Sequence, residues 1–180
     1  RGGCAVLFIG IDPGLTGAVA MINTANGFCD VQDLPTIELE GGGLVKRRIQ
    51  GRILGLQMRQ MVPPGHEPLV FLEQVGAMGG QNNAVQTQAS LAGTFMGSRC
   101  VLDILRWPPT LVQPQRWKAK FGLARKKAGP AGKPESESAY KGRHLQLARE
   151  LYPSAPLHLA KHHNRAEALL IAHYGAGEAA

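Results

Sequence analysis

Two apolar runs each close on a carboxylate, and this constrains the fold more than any other feature. The first is VLFIGID at residues 6–12, followed by the turn PGLTG and a further apolar run, GAVAMI, at residues 17–22. The second is LVFLE at residues 69–73. Aspartate and glutamate are poor strand formers, and a carboxylate beside a buried sheet needs a charge partner. A third acid, Glu167, follows His162, His163, Asn164 and Arg165 and leads into ALLIAHYG. A divalent cation is the simplest partner that could gather all three.

The first run predicts a strand over residues 5–11, broken by Pro13-Gly14, with a second strand over 17–22. Asn26-Gly27 is a hairpin signal, and residues 28–34 read as a third, partly exposed strand. Leu44, Ile49, Ile53, Leu54, Leu56, Met58 and Met61 recur as on an amphipathic helix spanning 44–61, with Lys46, Arg47, Arg48, Arg52 and Arg59 on its wetter side. Residues 69–73 form a short continuous apolar run, typical of a buried parallel strand. Further elements are a helix over 84–98, a strand over 110–112, a helical turn after Pro114, a helix over 144–151 and a last helix over 167–174. The polar stretch 124–142 reads as a mobile basic surface loop. The sum is one α/β domain over residues 1–180, with a mixed five-stranded sheet, three antiparallel strands then parallel ones, flanked by helices.

Lys and Arg number 20 against 13 Asp and Glu, a net charge of +7. A basic protein with a carboxylate cluster points to a metal-dependent enzyme acting on a polyanion. There is no apolar run of 18 residues, so no membrane span is expected. Cysteines 4, 29 and 100 lack metal-ligand spacing and read as reduced thiols. With no secretory signal in the opening residues, the expected location is cytoplasmic, or an organelle such as the chloroplast if a transit peptide has been removed.

Each acid has a plainer alternative. Asp-Pro-Gly makes turns without any metal, and Glu73 could pair with a Lys or Arg. Asn164 and Glu167 match a capping box, which would leave His163 outside the helix. An earlier helix start would instead put His163 and Glu167, four residues apart, on one face, and His162 could substitute for its neighbour. The basic clusters Lys46, Arg47, Arg48; Arg116, Lys118, Lys120; and Arg125, Lys126, Lys127 are candidates for phosphate contact. Trp117 reads as a core anchor.

IGIDPGLTGAVA, VFLEQ, VQPQRWKAKFGL and RAEALLIA together resemble the RuvC-type Holliday junction resolvases of phages and bacteria, and their chloroplast forms. The resemblance runs from Ile9 to Tyr174. It implies an RNase H-like fold, a homodimer, and paired symmetric nicks across a four-way DNA junction using two Mg²⁺ or Mn²⁺ ions per site, with no nucleotide cofactor. By position, Asp12, Glu73 and Glu167 match the family's catalytic metal ligands, and His163 (or His162) stands where an aspartate is usual. Gly79, Gly80 and Gln81 lie in the stretch that would face the junction centre. The alternatives are another RNase H-like nuclease acting on RNA or branched DNA, or a catalytically silent junction-binding module. The DPGLTG turn also resembles the phosphate loop of sugar kinases and heat-shock-type ATPases, but no second lobe accompanies it.

Overall fold

The computed structural model describes residues 6–41, 45, 47–75, 85–126 and 134–179. Its centre is a five-stranded sheet of β1 (Leu7–Asp12), β2 (Ala18–Asn23), β3 (Cys29–Asp33), β6 (Leu69–Glu73) and β7 (Pro109–Val112), in the order β3-β2-β1-β6-β7. The first three strands are antiparallel; β6 runs parallel to β1 and β7 parallel to β6. This is the mixed sheet that the sequence predicts. A separate ribbon pairs β4 (Thr36–Glu38) with β5 (Arg47–Ile49).

The period of two along each strand sorts side chains between two cores. Leu7, Ile9 and Ile11 of β1, with Val70 and Leu72 of β6, pack under helices α1 (Gly51–Met61) and α2 (Val85–Leu105). Phe8 and Phe71 face the other way, onto α3 (Pro114–Lys120), α4 (Glu137–Leu151) and α5 (His163–Glu178). The alternation therefore carries Asp12 and Glu73 to the α5 face, at the C-terminal ends of adjacent parallel strands. Helix α5 is buried almost all round, through Ala166, Ala168, Leu169, Leu170, Ile171 and Ala172, as expected of a helix sandwiched between a sheet and a second helix. It lies hard against β1: a Cβ on Gly10 would strike the Ala168 carbonyl oxygen and the Ala172 nitrogen.

Four element boundaries differ from the sequence expectation. The predicted 44–61 helix starts only at Gly51. Arg47 and Arg48 lie instead on β5, where Arg47 faces Glu38 across the ribbon and donates to Thr36 Oγ1 at 2.9 Å, an opposite-charge cross-strand pair. Helix α2 extends seven residues past Ser98, to Leu105. Helix α4 begins at Glu137, inside the predicted 124–142 loop, because Ser136 caps it by accepting from the Ala139 amide at 3.2 Å. Helix α5 begins at His163, so Asn164 and Glu167 form no capping box.

Candidate active site

The turn after β1 fixes Asp12. Gly17 donates to the Gly14 carbonyl at 2.9 Å, and any Cβ on Gly17 would collide with the Asp12 carbonyl oxygen. Two neighbours pin the turn. From α2, the buried Thr94 hydroxyl donates to the Pro13 carbonyl. From α5, Asn164 Nδ2 donates to Thr16 oxygen at 2.6 Å and to Thr16 Oγ1 at 2.8 Å. The turn's Gly17 amide is thus engaged within the turn rather than free to cradle a phosphate, unlike the kinase-type loop it resembles in sequence.

Asp12, Glu73 and Glu167 come together on the α5 face. Glu73 Oε1 accepts from the indole N–H of the fully buried Trp117 at 2.9 Å. Glu167 Oε1 meets Nδ1 of the fully buried His144 at 2.8 Å; an ionised carboxylate can only accept, so Nδ1 carries the proton. Among the described residues His144 Nε2 meets no hydrogen-bond partner, and its ring lies between Tyr140 and Trp117. Between the two glutamates stands the Lys118 ammonium, 3.9 Å from Glu73 Oε1 and 3.6 Å from Glu167 Oε2.

Charge is unevenly distributed over this group. Burial, then the charges of Glu167 and Glu73, push the Asp12 carboxyl well above its usual value, against the Gly14 amide and Lys118. Burial also raises Glu73, opposed by Lys118 and Trp117. Burial would raise Glu167 too, but the His144 hydrogen bond and the Lys118 charge outweigh it and hold Glu167 low. Glu167 is therefore the settled anion, and Asp12 and Glu73 keep a proton more readily. Among the described residues, no three His, Cys, Asp or Glu side chains already stand close enough to hold a metal ion. The donor set nonetheless suits a hard divalent cation, which prefers carboxylate oxygens: once all three are ionised, one ammonium leaves negative charge uncompensated.

His163 stands one helical turn before Glu167 on α5 and feels its charge, although burial and Lys141 hold the imidazole below its usual value. His162 is directed elsewhere. Its Nδ1 accepts from the Leu159 amide at 3.4 Å, its ring meets that of His158, and its charged neighbours are Arg165, Asp33 and Lys161.

The predicted phosphate-contacting residues divide. Lys118, expected on the surface, points into the carboxylate group with its side chain only 18% exposed. Lys120 is paired with Glu178 at 2.6 Å. Arg116 stands near Glu178, and the Lys126 backbone amide donates to Glu135 at 3.2 Å. Lys46, Gly79, Gly80, Gln81 and Lys127 lie outside the described residues. His144 was not legible in sequence as a site residue, because a lone histidine at an apolar helical position carries no chemical signature. Thr94 and Asn164 hold the turn through contacts 81 and 148 residues distant, which no local pattern reveals.

No protein-family model and no curated protein matches the chain. Among solved structures, one described as Thermus thermophilus RuvC matches over 97% of this chain and 95% of its own, at 15% identity and a TM-score of 0.48. No helix among the described residues is long and apolar enough to cross a membrane.

Proposed function

We propose that the chain is a metal-dependent endonuclease that resolves four-way DNA junctions as a homodimer, like the RuvC-type resolvases its sequence resembles. The observation that carries this reading is the meeting of Asp12, Glu73 and Glu167, from two strand ends and a helix start, on a chain of net charge +7. Asp12, Glu73, His163 and Glu167 would hold Mg²⁺ or Mn²⁺. Bound as a pair, such ions supply an activated water and stabilise the leaving oxygen of a phosphodiester. Trp117 and His144 fix the carboxylate orientations beforehand, so that these ligands need not be ordered when the substrate arrives. Arg47, Arg48, Arg116 and Lys126 would lie along the phosphate backbone, where such contacts position a duplex without reading its sequence.

The dimer draws support from α2. Val85, Met96 and Ile104 are 71%, 54% and 76% exposed, and their spacing confines them to about 100° of the helix surface at 3.6 residues per turn. A two-fold dimer would present two sites to symmetric strands of a junction. A second reading, a junction-binding module without cleavage, is favoured by Lys118 facing the glutamates.

The test is cleavage of a labelled four-way junction beside a matched linear duplex, in Mg²⁺ and in Mn²⁺, with an Asp12→Asn control. Paired nicks near the crossover, absent from the duplex and the variant, are the expected result. Tight junction binding with no nicks in either metal selects the binding module.

A further inference from the structure

The cation that faces Glu73 and Glu167 belongs to the protein itself. Lys118 Nζ lies 3.9 and 3.6 Å from their oxygens, beyond the usual N–H···O distance of about 2.9 Å. It also sits 4.9 Å from the Trp117 ring centroid. The close bonds to the two carboxylates come instead from ring N–H groups, Trp117 to Glu73 at 2.9 Å and His144 to Glu167 at 2.8 Å. Those donors keep the carboxylates in place whether or not Lys118 is present. The ammonium, on a flexible four-carbon stem, is the least constrained member of the group.

Like charges at contact distance repel, so a divalent ion and this ammonium cannot share the same carboxylates without one giving way. On its outer side, Lys118 has somewhere to go. Its Nζ is 5.9 Å from the Tyr140 ring centroid, and the same ring has Arg125 at 5.4 Å and Arg143 at 5.8 Å. The two guanidiniums are already paired, Arg125 with Glu137 at 2.9 Å and Arg143 with Glu135 at 2.8 Å, so at this rim the displaced Lys118 would be the ammonium left for a nucleic-acid phosphate.

We propose that Lys118 is an exchangeable counter-ion: a divalent cation binding to the carboxylates displaces its ammonium toward the Tyr140 rim, where it engages a DNA phosphate, so that metal binding and DNA binding favour each other. The inference rests on the nuclease reading above and specifies how its metal and substrate sites communicate. Such coupling is reciprocal.

The experiment measures Mn²⁺ affinity by electron paramagnetic resonance, without DNA, for the wild type, Lys118→Met and Lys118→Arg. Freed of an ammonium that stands about 4 Å from two of its carboxylates and competes for them, the site should bind Mn²⁺ at least about tenfold more tightly even in a water-like dielectric. Lys118→Arg, which keeps the charge, should stay near the wild type and guards against a folding defect, which circular dichroism would also register. Junction affinity is then read by fluorescence anisotropy in EDTA and in Ca²⁺. The wild type should gain affinity with Ca²⁺, and Lys118→Met should gain less. If the wild type binds Mn²⁺ and Lys118→Met binds it no more tightly, the exchange is overturned while the metal centre stands. If none of the three binds Mn²⁺, the metal centre itself fails, and the exchange with it.

Discussion

An ionised Asp12 is costly to the protein in the absence of a divalent ion. Its folded-state pKa stands above 3.8, raised by burial and by two neighbouring glutamates, so the folded chain holds that proton more tightly than the unfolded one. Its contribution to stability is fully present below pH 3.8 and is lost as pH rises through the folded pKa. At neutral pH the carboxylate therefore subtracts from stability, and Asp12→Asn, which keeps the shape without the charge, should raise the melting temperature in EDTA by about 2–6 °C. The gain should vanish as pH falls toward 4, and an equal or lower melting temperature at pH 7 would count against this account of the site. His163 makes a second prediction. Imidazole suits softer metals better than a carboxylate does, so cleavage should be faster in Mn²⁺ than in Mg²⁺, and equal or better rates in Mg²⁺ across a titration would remove His163 from the ligand set. At this scale the sequence made the acids legible, because a carboxylate ending an apolar run has few uses. It left open which histidine faces Glu167, since that depends on where α5 begins. It also gave no sign that Lys118 turns inward, since Lys118 and Lys120 look alike in sequence and differ only in the partners their helix face meets.

Elements were legible where one periodicity dominated. The strands β1, β2 and β6 announce themselves because both faces of the sheet are covered and nearly every position is apolar. The β5 segment does not: Arg47 and Arg48 fit the polar side of a helix as well as a ribbon strand, and only pairing with Thr36–Glu38 decides between them. The start of α4 was hidden for a similar reason, since a polar, proline-containing stretch reads as a loop unless the Ser136 cap is recognised. Helix α4 matters because it carries His144. Its start is held by Arg143, which reaches Glu135 at 2.8 and 2.9 Å and the carbonyls of Gly122 and Ala124 at 3.0 Å. Hydrogen bonding to Arg143 holds the Glu135 carboxyl down at about 2, against a usual 4.5. A depressed acid stabilises above its unfolded pKa and loses that contribution as pH falls through the folded one. The difference in melting temperature between wild type and Glu135→Gln should therefore be constant from neutral pH to 4.5 and shrink toward pH 2; a difference that persists at pH 2 would assign the effect to packing. The contact between β1 and α5 gives a further test. Gly10→Ala places a methyl group against the Ala168 and Ala172 backbone, which has no side chain to swing aside. Urea unfolding should show a loss of about 3 kcal/mol or more.

At the scale of the molecule, one catalytic group can nick one strand, whereas resolving a four-way junction takes two nicks in register. The proposed activity thus depends on a second surface as well as on the carboxylates. Along α2, Val85, Met96 and Ile104 share an exposed side, with the free thiol of Cys100 on the same stripe and Leu56 of α1 also exposed at 47%. The opposite side of α2, through Thr94, Ser98, Val101 and Leu102, is buried against the sheet and α1, so the outward stripe is surplus to the monomer's own core. A second copy of this face would set its apolar residues against their own counterparts, with the exposed Gln86 and Asp103 at the margins of the stripe, which suits a two-fold contact. Met96→Asp would set two like charges against each other across such an axis, a juxtaposition that costs several kcal/mol, while leaving the carboxylate group untouched. Light scattering coupled to gel filtration should then report a dimer for the wild type and a monomer for Met96→Asp at the same concentration. On a junction closed into a supercoiled plasmid, the wild type should give linear product from two nicks within one binding event, and the variant open circles from single, uncoordinated nicks. A Met96→Asp protein that stays dimeric would move the interface off α2. One that becomes monomeric yet still linearises the plasmid in a single event would separate paired cleavage from dimerisation and remove the reason for proposing the dimer.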